Sequence, residues 1–282
     1  MTFYFVPEWQ GSRSPRALSL LDGAAALRKM LPSRGTVEIE VETTAGDALG
    51  TAARRLSSVL RTRDALLQQL RSNSGSSFFT LGGDAATSLA PLQHALETHA
   101  DSLRVLWLSH HRGLDDPAVS PTGAIDDMTL AAALGHSVAD LAFATPLQPE
   151  QVALLGTDER DEQREISEDI TRGVRVLDPG EVPRWLDDSG ATAPQLYLHI
   201  DLTVLDPKEF QSVATAVPSG FTVAELAAFI RSLHDTAAII GATVSGFQPP
   251  SQAGADITEV ANDDAGALLP LLGALTSPPK PH

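Results

Sequence analysis

Short apolar runs of strand length recur along this chain, and between them lie longer segments in which apolar residues return every three or four positions. The first pattern suits strands buried on both faces and the second suits helices with one apolar stripe. Their alternation is what a mostly parallel sheet joined by crossover helices requires. Eight runs read as strands: Thr2–Val6, Thr36–Val41, Ser77–Leu81, Arg104–Leu108, Val152–Gly156, Val174–Leu177, Gln195–Leu202 and Ile239–Phe247. Helical period is read over Ala17–Leu31, Asp47–Ser72, Glu159–Arg172, Val223–Asp235 and about Asp263–Leu275. The fold class expected is α/β, a three-layer α/β/α domain with a mostly parallel eight-stranded sheet. Asp47 is expected to cap one long helix that ends at Ser72. Leu49, Ala53, Leu56, Leu60 and Leu67 would face the sheet, and Arg54, Arg55, Arg61 and Arg63 the solvent.

No polar break or low-complexity linker interrupts the alternation, so residues 1–282 are read as a single domain. Acidic residues number 36 against 20 basic ones, a net charge of −16. A field of that sign repels phosphate backbones and anionic lipid, which sets aside nucleic acid and membrane as partners. The absence of cysteine removes disulfides, thiolate metal sites and cysteine nucleophiles, so any metal must be held by His, Asp or Glu. The first residues lack the basic start and apolar run of a signal peptide, and no stretch of about 18 apolar residues occurs. A cytoplasmic protein is expected.

In open α/β sheets, ligands bind at the carboxyl ends of the strands, so the loops that follow the strands are where chemistry is sought. Four of them carry suitable residues. Leu81-Gly82-Gly83-Asp84-Ala85 is a tight turn after a strand, and Ser109-His110-His111-Arg112-Gly113 follows an apolar strand directly. His199, Asp201 and Thr203 share one face of a strand end, by alternation, and Ser245-Gly246-Phe247-Gln248-Pro249-Pro250 closes the last strand with a proline-forced loop. Trp9, Trp185, Tyr4 and Tyr197 read as packing residues.

These four segments, in this order, resemble the motifs of the arginase, agmatinase and formimidoylglutamase group, the ureohydrolases. The resemblance runs from about Ser76 to Leu275, and includes Pro149–Val182 and the Pro218-Ser219-Gly220-Phe221-Thr222 turn. It implies an arginase-like fold and assembly into homo- or hetero-oligomers, trimers or hexamers. It also implies a chemistry in which a hydroxide between two manganese ions attacks a guanidinium carbon, the ions being held by two His and four Asp. Here the matched ligand positions carry Ala85, Ser109, Gly113 and Thr203, and only His111 and Asp201 agree. Asp126 stands where the group has a loop histidine, and Gly246 where it has a glutamate that pairs with the guanidinium.

One imidazole and one carboxylate do not offset the dehydration of two divalent ions, so the dinuclear mechanism is expected to be absent and no cofactor is expected. The leading expectation is a catalytically silent homologue that binds a partner or joins an oligomer. A second is a rebuilt single-metal site for zinc, iron or manganese on His111, His199 and Asp201, hydrolysing a guanidino or amidino C–N bond, with Asp126 and His111 as the candidate catalytic groups. Asp115, Asp116, Asp126 and Asp127 lie nearby and could add a ligand. A third is a metal-free small-molecule binding module in which Arg112 attracts a carboxylate.

Overall fold

All eight runs form strands, and every neighbouring pair is parallel. The structure is a computed structural model. It describes residues 1–73, 75, 77–157, 172–188, 193–215, 218, 220–250 and 257–277. The strands are β1 (Thr2–Val6), β2 (Thr36–Glu38), β3 (Phe78–Gly82), β4 (Leu103–Leu108), β5 (Val152–Leu155), β6 (Arg175–Val176), β7 (Gln195–Asp201) and β8 (Ala238–Ser245). Their order across the sheet is β2-β1-β3-β8-β7-β4-β5-β6, so the two last in sequence stand at its centre.

The described helices are α1 (Leu20–Met30), α2 (Leu56–Ser72), α3 (Leu89–His99), α4 (Thr129–Ala133), α5 (Val182–Asp187), α6 (Val223–Leu233), α7 (Ile257–Ala267) and α8 (Leu269–Leu275). They divide between the two faces. Leu106, Leu108, Leu196, Leu198 and Ile200 point into a core shared with α1, α5, α6, α7 and α8. Val105, Trp107 and Tyr197 point the other way, into a core shared with α2, α3 and α4. Strand alternation thus sorts each central strand into two apolar faces, which is why the sequence shows continuous apolar runs there.

Two expectations about helices are corrected. The stretch from Asp47 is not helical until Leu56, because Gly46, Leu49, Gly50 and Arg55 all take positive φ, between 52° and 75°. The Asp47 carboxylate accepts the Leu49 amide at 2.8 Å and so closes a local turn rather than capping α2. Leu49 is consequently exposed and Leu60 half-buried, while Ala53, Leu56 and Leu67 are buried as expected. The C-terminal helix is two, broken at Leu268 just before Pro270, a residue that has no amide to continue the ladder. The helix expected over Glu159–Arg172 lies outside the described residues except for Arg172. Helices α3, α4 and α5 were not anticipated.

α6 begins with a reciprocal capping box: the Thr222 hydroxyl accepts the Glu225 amide at 3.0 Å and the Glu225 carboxylate accepts the Thr222 amide at 2.9 Å. Replacing Thr222 by Ala should cost about 1 kcal/mol. Leu198→Ala, at a fully buried position in the middle of β7, should cost about 2–5 kcal/mol. Urea unfolding of the two variants beside the parent measures both, and equal losses would contradict the placement of Leu198 in the core.

Candidate functional site

The carboxyl ends of β1, β3 and β8 are pinned together by one glycine. Gly83 donates its amide to Val6 O at 3.2 Å and accepts the Gly246 amide at 2.7 Å. A Cβ at this position would lie 1.6 Å from Glu8 O, so no other residue fits. The chain then turns through Asp84, whose carboxylate accepts the Ala86 amide at 2.9 Å and caps the short 3₁₀ turn Ala85–Ser88. Beside this turn, the ends of β4, β7 and β8 and the 123–128 loop enclose a cleft. It is lined by Arg13, Asp84, Ala85, Ser109, His111, Asp126, Asp127, Asp201, Thr203 and Gly246, with Trp107 as an aromatic wall. Its volume is about 30 Å³, room for one or two waters.

Most of the expected positions meet here. His111 lines the cleft from the loop after β4, which is held in place by the His111 amide on Ser109 Oγ (3.0 Å) and by Trp107 Nε1 on His111 O (3.1 Å). Asp201 reaches it from the end of β7, with one carboxylate oxygen accepting both the Thr203 amide (2.8 Å) and the Thr203 hydroxyl (2.6 Å). Asp126 and Asp127 come from the turn before α4. Gly113 is buried just behind the loop in a left-handed conformation.

His199 is not among the lining residues, although it shares a strand face with Asp201. It lies one layer deeper, fully buried, with its ring stacked on Trp107 at 3.5 Å and Nδ1 2.7 Å from Ser88 Oγ. Burial holds its pKa down to about 3, against a smaller upward pull from Asp201, so the imidazole is neutral. Among the described residues, no three of His, Asp and Glu are grouped so as to hold a metal ion. Buried His110, exposed Asp116, Arg112 and Asp115 do not line the cleft either, and Asp115 accepts the Ser120 hydroxyl at 3.0 Å.

The site's electrostatics also rest on Arg13 and Glu8, which the sequence did not single out. Arg13, in the loop after β1, forms an ion pair with Asp127 at 2.9 Å. Its amide reaches Asp126 Oδ2 at 3.3 Å, while Asp126 Oδ1 accepts the Ala85 amide at 2.7 Å. Glu8 and Asp84 are buried close by, each with a carboxylate oxygen that has no hydrogen-bond partner among the described residues. Burial, and then the mutual repulsion of these carboxylates, pushes Asp84 well above the usual range. The same causes take Glu8 to about 8, partly offset by the Thr62 and Thr87 hydroxyls, and burial takes Asp126 to about 6 despite Arg13. The loop after β1 was a carboxyl-end loop like the other four, and that rule alone would have found Arg13.

A buried acid with a raised pKa keeps its proton in the folded state, so its contribution to stability is complete below about pH 4.5 and is lost as pH rises toward 8. Glu8→Gln, which removes the titration, should flatten the loss of stability between about pH 5 and 8. It should make the protein more stable than the parent at pH 8, on the order of 1–3 kcal/mol, and change little at pH 4 to 5. Thermal unfolding across this range checks the sign.

The geometry agrees with comparisons to known proteins. Residues 16–266 match the sequence model of the Arginase family, so the match begins well before the motifs that suggested it. The N(omega)-hydroxy-L-arginine amidinohydrolase of Streptomyces lavendulae is 28% identical over 249 residues, covering 86% of this chain and 88% of that protein. The arginase of Bacillus subtilis is 29% identical over 213 residues, 70% of each chain. Among solved structures, the arginase of Entamoeba histolytica in complex with L-ornithine superimposes with a TM-score of 0.77 at 18% identity, covering 97% of this chain and 96% of that one. Arginase from Bacillus subtilis does so with a TM-score of 0.75 at 21% identity, covering 98% of both. The three-layer fold is the one these structures share, and with the family match over most of its length this chain belongs to the arginase family.

Proposed function

We propose that this chain is a catalytically silent member of the arginase family, whose scaffold serves to bind a partner or to act as a subunit of a homo- or hetero-oligomer. The observation that carries this reading is the donor set of the cleft. At the positions matched to the group's metal ligands stand Ala85, Ser109, Gly113 and Thr203, leaving His111 and Asp201. Two divalent ions need several anionic oxygens to replace their water, and hold a bridging hydroxide only with them. The other carboxylates of the cleft are engaged differently. Asp127 takes the Arg13 guanidinium and the Thr122 hydroxyl, and Asp126 takes two backbone amides. The cluster therefore carries a cation built into the chain. These residues do not fit a dinuclear centre.

The place of the guanidinium-pairing glutamate supports the same reading. Gly246 has φ +83°, and a Cβ there would lie 2.6 Å from the Asp201 carboxylate. A longer acidic side chain needs a different backbone, so more than side-chain identity has changed.

The single-metal reading, with zinc, iron or manganese on His111, His199 and Asp201, asks His199, fully buried against Trp107 and absent from the cleft wall, to come to the cleft. That is a large cost for a site with one formal negative charge, and it favours the silent reading. A metal-free module that uses Arg112 is less favoured because Arg112 lies away from the cleft wall.

The chain should release no urea from arginine or agmatine in excess manganese. Manganese-dependent turnover within roughly a few hundredfold of an ordinary family enzyme would overturn the proposal, because losing the bridging hydroxide costs many orders of magnitude. Restoring the four positions together, as Ala85→His, Ser109→Asp, Gly113→Asp and Thr203→Asp, should produce manganese binding that the parent lacks, read by elemental analysis after gel filtration. Asp is among the residues that tolerate the left-handed backbone of position 113. For the single-metal reading, zinc titration of His199→Ala should match the parent; a clear loss of affinity in a variant that remains folded would favour the rebuilt site.

A further inference from the structure

Next to the acidic cleft, and sharing Arg13 with it, lies a larger groove of about 640 Å³. Its walls are the loop that leads into α1 and the turns that precede α2. Four arginines line it, Arg13, Arg16, Arg54 and Arg55, in a chain that holds only 20 basic residues against 36 acidic ones. Among the described residues, only Arg13 of these has a carboxylate partner, Asp127. Arg16 donates to the Pro249 carbonyl at 3.0 Å, and Arg55 reaches the Gln10 and Ser12 carbonyls at 3.4 Å while lying over the Trp9 ring at 5.0 Å. Arg54 is exposed, and its guanidinium makes neither a hydrogen bond nor an ion pair with the described residues.

Three neighbouring guanidiniums with no carboxylate partner among the described residues bear a local repulsion that an anion relieves. The backbone adds to this. Arg55 sits at φ 58° and Leu49 at φ 52°, left-handed positions that ordinary side chains rarely take, and the Arg54 amide is tied to Gly123 O at 2.7 Å. This strained loop is what aims Arg54 and Arg55 together, and strain of this kind persists where the surroundings enforce it, often at ligand clamps. Burial and the adjacent Arg54 both lower the pKa of Arg55, as a cation facing another cation should show.

We infer that this groove is an anion site for a small organic molecule carrying a doubly charged oxyanion, a phosphate monoester or a dicarboxylate. Planar guanidinium forks match paired oxygens better than single ones, and three of them exceed the charge of a monoanion. Trp9, Ala17 and the exposed Leu18 supply an apolar wall for a short carbon skeleton. The volume falls in the range of small-molecule sites, roughly 300–1,000 Å³. The site lies outside the cleft and does not depend on whether the cleft is silent.

Calorimetric titration of the intact protein at constant ionic strength tests it, with inorganic phosphate in one arm, succinate in another and acetate as the monoanion control. Saturable binding of about 1 mM or tighter is expected in at least one dianion arm, and which arm responds distinguishes phosphate from carboxylate ligands. Arg54→Gln should weaken that binding tenfold or more, while its unfolding temperature without ligand stays that of the parent. Arg61→Gln, an exposed substitution elsewhere on α2, should leave the affinity within about twofold. No saturable binding of either dianion, acetate binding as tightly, or an Arg54→Gln affinity equal to the parent's would each overturn the inference.

Discussion

A sheet whose strands all run parallel has no face that can be left to water, because every connection must cross over it and each crossover lays a helix on one side. Most of what is seen in this chain follows from that requirement. Leu198 and Tyr197, adjacent in β7, serve two different cores on opposite faces. With both faces covered and the amino ends taken up by incoming chain, the carboxyl edge is where strand ends, loops and solvent meet. The cleft lies there for that reason, and Gly83 fixes its floor by letting β1, β3 and β8 end against one another.

The family's scaffold is thus retained by forces that have no stake in catalysis. Apolar burial on the two faces is indifferent to whether the edge carries aspartates or Ser109, Gly113 and Thr203. What governs the edge is electrostatic. A carboxylate cluster needs positive charge, protonation or amides to be tolerable under partial burial. This chain uses all three: Arg13 on Asp127, raised proton affinity on Glu8, Asp84 and Asp126, and the Ala85, Ala86 and Thr203 amides on one oxygen each of Asp126, Asp84 and Asp201. Among the described residues, the arginines without a carboxylate partner lie one step outward, around Arg13.

His199 shows that residue type alone does not place a side chain. An imidazole beside a carboxylate on one strand face has the composition of a metal site. Stacking on Trp107 and a bond to Ser88 instead make it a buried polar core residue, neutral because its charged form would lose hydration without a counter-ion. Its neighbour Trp107 then separates it from the cleft and doubles as the cleft's wall.

The amino-acid sequence by itself determined the number of strands, nearly all their positions and the family, because two-sided burial writes a continuous apolar run and turn glycines leave a visible mark. It also determined which residues stand at the compared positions of the edge, since Ala85, Ser109, Gly113 and Thr203 are read directly. It did not disclose where α2 begins, because an Asx turn at Asp47 and left-handed Leu49 and Arg55 compete locally with a helical pattern that looks continuous. Nor did it disclose depth. Alternation tells which face a residue such as His199 takes, but how far it lies beneath the sheet edge depends on Ser88 and Trp107, 111 residues before it in one case. The pairing of Arg13 with Asp127 and the gathering of Arg16, Arg54 and Arg55 likewise join segments remote in sequence. Only the tertiary structure decides these, because charge and contact depend on distance in space, whereas pattern records only distance along the chain.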